Sequence, residues 1–163
     1  MRGFESAPDT STNPMRVAGI RTTIDHMTRV LFLCVHNSAR SQMAEGMLRA
    51  WGGDRFEVES AGSVATEVRP LAIQAMREIG IDISGQTSKT SETFAGQAFD
   101  YAVTVCDDAR EACPFFPGAA HQVHWSFDDP AAATGTQDER LAVFRRVRDE
   151  IGARIRSELL AGS

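Results

Sequence analysis

Short apolar runs alternate with stretches of helical periodicity along most of the chain. Residues 29–34 (RVLFLC) carry a compact apolar run that predicts a buried strand. A polar stretch follows over 35–41. Met43, Met47 and Leu48 then recur at helical spacing within 42–51, up to a stop at Gly52-Gly53. Residues 56–60 (FEVES) alternate apolar and polar and predict a second strand. Pro70 stands where the first turn of a helix belongs, and that helix is predicted to run to the Gly80 stop. Residues 99–106 (FDYAVTVC), rich in β-branched and aromatic side chains, predict a third strand. A short helix or loop is expected over 107–113 before Pro114, and 121–125 (HQVHW) predict a fourth strand. Leu141, Phe144, Val147, Ile151 and Ile155 lie at helical spacing among arginines and acids, which marks an amphipathic closing helix.

The order β-α-β-α-β-α-β-α calls for an α/β fold of three layers, a four-stranded, mainly parallel sheet with helices on its faces. Ligands of such folds sit beyond the carboxyl ends of the strands. Cys34, Cys106 and the Asp128-Asp129-Pro130 turn each follow a predicted strand, so that edge is where they are expected to meet. Residues 28–163 are read as a single catalytic domain. Residues 1–27 mix Ser, Thr, Pro, Gly and charges and are expected to form a disordered extension, with Met15 and Met27 as alternative starts.

Composition narrows the partners. The chain has 163 residues, 42% apolar and 24% charged, which suits one compact domain with a core of its own. A formal net charge of −5, with no basic cluster interleaved with aromatics, argues against nucleic-acid binding. No run approaches the roughly 18 apolar residues of a membrane span, and the start lacks the apolar block of a secretory signal. A cytoplasmic monomer without membrane partners is expected. Three cysteines in such a chain are read as reactive or buried thiols rather than a structural disulfide framework.

One chemical signal is Cys34 with Arg40 and Ser41, set between a strand and a helix. Turning the chain tightly through Val35, His36, Asn37, Ser38, Ala39 and Arg40 aims successive N–H groups inward and forms an anion site. The helix start behind it adds positive potential, which favours a thiolate at Cys34. Arg40 offers a planar fork of donors to a tetrahedral oxyanion, and the Ser41 hydroxyl can donate to the sulfur. Spacing alone also fits a buried Cys at a strand end. His36 is expected to contribute only its backbone. Asp129, directly before Pro130, is a candidate general acid or, alternatively, one side of a solvated turn that Asp128 caps. Cys106 and Cys113 lack the tight pair or nearby His of a zinc set, and His121 and His124 do not form a metal pair, so no metal is expected.

The segment CVHNSARSQMAEG resembles the phosphate-binding loop and helix start of arsenate reductases built on the low-molecular-weight tyrosine phosphatase fold. The resemblance runs from Arg29 to about Ile155 and implies a four-stranded parallel sheet flanked by helices. In the thioredoxin-coupled branch it implies that Cys34 attacks arsenate and that Cys106 attacks the Cys34 sulfur to release arsenite. Cys113 then forms a disulfide with Cys106. Thioredoxin would be the external reductant, no cofactor would be bound, and phosphate or sulfate would compete with arsenate. An intact helix would hold Cys106 and Cys113 roughly 10 Å apart, beyond the about 7 Å that a disulfide spans, so such a pairing requires the segment to unwind. WSFDDPAAA resembles the family's acid loop, with Asp129 protonating the leaving oxygen.

In some members, residues matching Asn37, Glu45 and Ser60, with a later Asp, hold potassium behind the loop. Lys89 in GQTSKTS stands at the position of that Asp. Its ammonium is expected to replace the ion by pairing with Glu45, unless it is simply exposed on a loop. Two rivals remain. A low-molecular-weight protein tyrosine phosphatase shares the loop and the acid, but that branch usually has Pro and aromatics where this chain has Gln42 and Ala131-Ala132. A non-enzymatic redox switch would need Cys106 and Cys113 but not Cys34.

Overall fold

The computed structural model describes residues 27–107, 112 and 114–161. Four strands, β1 (Thr28–Cys34), β2 (Phe56–Gly62), β3 (Phe99–Thr104) and β4 (Ala119–His124), form one sheet in the order β2-β1-β3-β4. Every pairing is parallel. Central β1 is apolar on both sides because both its faces are covered, as parallel sheets require. Val30 and Phe32 point into the larger core, while Leu31 and Leu33 point into a smaller one with Ala102, Phe94, Phe99 and Phe116.

Three helices cover the larger core. They are α1 (Arg40–Gly52), α2 (Pro70–Arg77) and α3 (Gln137–Ile155). All five apolar positions expected of the closing helix, Leu141, Phe144, Val147, Ile151 and Ile155, are buried there. A capping box between Thr136 and Glu139 starts α3, each satisfying a backbone N–H of the other's turn. On the opposite face a 3₁₀ turn at Ser91–Phe94 and the ring of Phe116 supply the cover.

Element boundaries move slightly from expectation. Helix α1 begins at Arg40, so the arginine belongs to its first turn. Helix α2 is α-helical to Arg77 and then leaves through a turn with Gly80 at φ 80°, a left-handed conformation that costs glycine nothing. Most of the helix or loop expected over 107–113, Cys113 included, lies outside the described residues, as does the extension before Met27. Among the described residues no helix is long and apolar enough to cross a membrane.

Candidate active site

The parallel register pairs Cys34 with Gly62, so the loop after β1 leans on the end of β2. A Cβ at position 62 would meet Val35 O at 2.6 Å, Asn37 N at 2.8 Å and Cys34 O at 3.0 Å. Glycine is what lets the two backbones approach. The loop's carbonyls are tied outward. Val35 O accepts from Val64 N at 3.0 Å and Ser38 O from Arg69 N at 2.9 Å. His36 O accepts from Thr66 Oγ1 and Ser88 Oγ at 3.2 and 3.1 Å, so the His36 backbone braces the loop while its ring stays exposed. Ala39 O accepts from Met43 N and is part of the α1 start. Asn37 makes the tight bend at φ 49°, a region Asn tolerates better than most residues.

Inside the loop, the buried Cys34 sulfur accepts from Asn37 N at 3.2 Å and lies 2.8 Å from Ser41 Oγ. Asn37 Nδ2 donates both hydrogens, to Ser41 Oγ and to Ser60 Oγ, each at 2.9 Å. Ser60 in turn donates to Glu45 Oε1 at 2.5 Å. Asn37, Ser41, Glu45 and Ser60, all singled out from sequence, are therefore one connected buried set.

The expected pair between Lys89 and Glu45 is not formed. Lys89 Nζ donates to Thr87 O at 2.9 Å, and only its backbone joins the site, donating to Asn37 Oδ1 at 2.8 Å. Glu45 Oε2 is held instead by Arg49 Nη2 at 2.6 Å. The reason is reach. Arg49 is one helical turn beyond Glu45 on the same face of α1, where i,i+4 pairs meet, while the Lys89 side chain turns back to its own strand of loop.

Arg40 is 3% exposed. It donates through Nη1 to Phe127 O at 3.2 Å, and its Nη2 lies 3.7 Å from Asp129 Oδ2. Asp129 also accepts from Ala131 N at 3.0 Å, capping the short turn Pro130–Ala132. Asp128 is turned away to Arg146 at 3.0 Å. A cavity of about 390 Å³ opens beside this acid loop, lined by Asp107, Asp128, Asp129, Ala132, Val143 and Arg146 among others. Cys106 lies behind the loop, fully buried, with its carbonyl accepting from Phe127 N at 3.3 Å. Val105 N donates to Leu33 O at 2.8 Å, so Cys34 and Cys106 leave neighbouring strand ends. Cys34 is a free thiol and Cys106 is disulfide-bonded.

Several residues of the site were given no role in it from sequence, Gln42 having been noted only as a departure from the phosphatase pattern. Gln42 Nε2 donates to Asn37 Oδ1 and to the carbonyls of Asn37 and Thr87, all at 3.0 Å. Gln86 Nε2 donates to Gln42 Oε1 at 2.8 Å. The spacing of Glu45 and Arg49, and a glycine closing an otherwise regular strand at Gly62, were the signals available for two others. Nothing local points to Gln86 or to the Phe127 carbonyl. Among the described residues no group of three or more His, Cys, Asp or Glu side chains is placed to hold a metal ion.

A thiol at the end of strand β1, held by its own loop, with a buried arginine beside an aspartate on the facing turn, defines an α/β protein with a cysteine loop. The family model of low molecular weight phosphotyrosine protein phosphatases matches residues 29–161, and the chain belongs to that family. Its relatives include the arsenate reductase of Halalkalibacterium halodurans, 54% identical over 128 residues that cover 78% of this chain and 92% of the relative. The arsenate reductase of Bacillus subtilis is 49% identical over 127 residues, 78% of this chain and 91% of that one. Among solved structures, an arsenate reductase in the phosphate binding state superposes with a TM-score of 0.72 at 35% identity, covering 84% of this chain and 100% of that one. A thioredoxin-dependent arsenate reductase of Corynebacterium glutamicum gives 0.60 at 30% identity, covering 83% of this chain and 61% of that one.

Proposed function

We propose that this chain reduces arsenate to arsenite through a relay of three cysteines that thioredoxin recharges. The observation that carries the reading is the Cys34 sulfur, held by Ser41 and the Asn37 N–H beside Arg40, with Cys106 at the next strand end. The Cys34 thiolate attacks arsenic while Arg40 and the loop hold the oxyanion. Asp129 gives its proton to the departing oxygen, which leaves as water. The Cys106 thiolate then attacks Cys34 Sγ. The sulfur–arsenic bond breaks with its electron pair passing to arsenic, so As(V) leaves as As(III) arsenite and a Cys34–Cys106 disulfide remains. Cys113 attacks Cys106 Sγ, frees the Cys34 thiolate and leaves a Cys106–Cys113 disulfide. A thioredoxin dithiol supplies the two electrons that reopen it.

Support comes from relatives named arsenate reductase at about half identity and from the thioredoxin-dependent structural neighbour. The test is thioredoxin-dependent arsenate turnover in the wild type and in Cys34→Ser, Cys106→Ser and Cys113→Ser. Loss in all three is expected. Turnover retained without Cys113 would replace thioredoxin with a small thiol or a glutaredoxin-like reductant. The loop cannot fully separate one tetrahedral oxyanion from another, so slow hydrolysis of aryl phosphates, abolished in Cys34→Ser, is expected beside it. Activity on aryl phosphates alone would make the chain a phosphatase.

A further inference from the structure

We propose that the cavity between the starts of α2 and α3 is a second oxyanion site, where Arg69 and Arg140 collect a tetrahedral inorganic oxyanion beside the Cys34 loop. The cavity measures about 210 Å³, and its polar lining is Arg69, Gln137 and Arg140. Its walls are continuous with the candidate active site. Arg69 N donates to Ser38 O of the loop at 2.9 Å, and Ala131, another lining residue, donates through its N–H to Asp129 Oδ1 at 3.0 Å. An ion held there has the loop's support on one wall and the acid turn on another.

The charge in this cavity is uncompensated. The chain carries 22 acidic against 17 basic residues, and Arg29, Arg49, Arg145, Arg146, Arg148 and Arg154 each meet a carboxylate. Among the described residues the guanidiniums of Arg69 and Arg140 have neither a hydrogen bond nor an ion pair. No carboxylate lines the cavity. Of the acids in the first turn of α3, Glu139 is taken up by Thr136 N at 2.7 Å, and neither it nor Asp138 is in the lining. The larger cavity at the same acid turn has the opposite character. Asp107, Asp128 and Asp129 line it, and its Arg146 is held by Asp128 and Glu150, each at 3.0 Å. An oxyanion nearing the acid turn is therefore repelled at Ala132 and attracted at Ala131.

The remaining walls strengthen that attraction. Leu71 and Phe144 are buried apolar side chains, and a cleft with charges of one sign and low-dielectric walls concentrates its counter-ion. The helix starts at Pro70 and Gln137 add their positive ends, and each planar guanidinium can offer two parallel donors to a tetrahedral oxyanion. Arg40 is poorly placed to gather ions from solvent, being 3% exposed and occupied by Phe127 O and Asp129. Arg69 is exposed and Arg140 half-buried, so collecting falls to them and holding to the loop.

The inference rests on the Cys34 loop being the oxyanion site of the proposed function, but its test separates the two sites and needs no arsenate. Inorganic phosphate is titrated into the isotopically labelled full chain, and NMR follows the Nε–H signals of Arg69 and Arg140 beside the backbone amides of Asn37 and Ser38. Both Nε signals are expected to move on a curve of their own, which sodium chloride at equal ionic strength does not reproduce. Nε signals that stay still while the loop amides move, or that move equally with chloride, overturn the proposal. Nε signals that move while the loop amides stay still leave the second site standing and count against the reading of the loop instead. A double variant, Arg69→Gln with Arg140→Gln, gives the second measurement. Its loop amides should need about threefold more phosphate for half their shift at low ionic strength, the scale of charges acting across water, and salt should close the gap. An unchanged midpoint at low salt overturns the collecting role.

Discussion

The Arg40 guanidinium stands 3.7 Å from the Asp129 carboxylate while donating to Phe127 O, so the cation behind the Cys34 loop and the carboxylate of the facing turn are in direct contact. The contact brings the carboxyl to the mouth of the Cys34 loop from a segment nearly a hundred residues away in sequence.

Asp129→Asn tests the acid's role. A positioned acid contributes about 10²- to 10⁴-fold in rate, so arsenate turnover should fall by that order. The asparagine side chain can still accept from Ala131 N, and the turn should survive. Steady-state turnover set against the rate of Cys34 alkylation separates the two. Alkylation should be little changed, because Asp129 bonds Arg40 and Ala131 rather than the sulfur.

Gly62→Ala should injure the loop more than the fold. All three atoms that the new methyl would strike are backbone atoms of the Cys34 loop, so the loop itself must shift. Overpacking of this kind costs about 1–3 kcal/mol. A lower melting temperature together with a clear loss of phosphate inhibition is the expected result.

Potassium should have no effect beyond that of sodium on turnover or on melting temperature. The reason is Arg49 rather than Lys89, because it is the guanidinium that meets Glu45. Paired assays at equal ionic strength check it, and a distinct rise in potassium would count against it.

Acid should loosen the packing of α3 on the end of α2. The Glu78 carboxyl is held below its ordinary range, first by the hydrogen bond from Arg145 and then by Arg148. A carboxyl lowered by folding adds stability above its unfolded value and loses that share as pH falls through the folded one. Melting temperature should therefore decline as pH drops below about 4.5, and Glu78→Gln should flatten that decline.

What the amino-acid order alone determined was whatever depends on neighbours along the chain. The apolar run ending at Cys34, the turn formers Asn37 and Ser38, and the helix behind Arg40 made the strand–loop–helix unit and its chemistry legible, because strand, bend and helix start are each set by a few adjacent residues. The five apolar positions of α3 were legible through their period alone. The tertiary structure decided the partners. Glu45 had two cations within plausible reach, and only the path of the chain shows Arg49 beside it and Lys89 folded back on Thr87. Gln86, the Phe127 carbonyl and the close approach at Gly62 meet the Cys34 loop across long gaps in sequence, where no periodicity or propensity specifies a contact. Side-chain pairing in a buried set follows from which groups the packed sheet brings within about 3 Å, and that distance exists only once the strands have found their register.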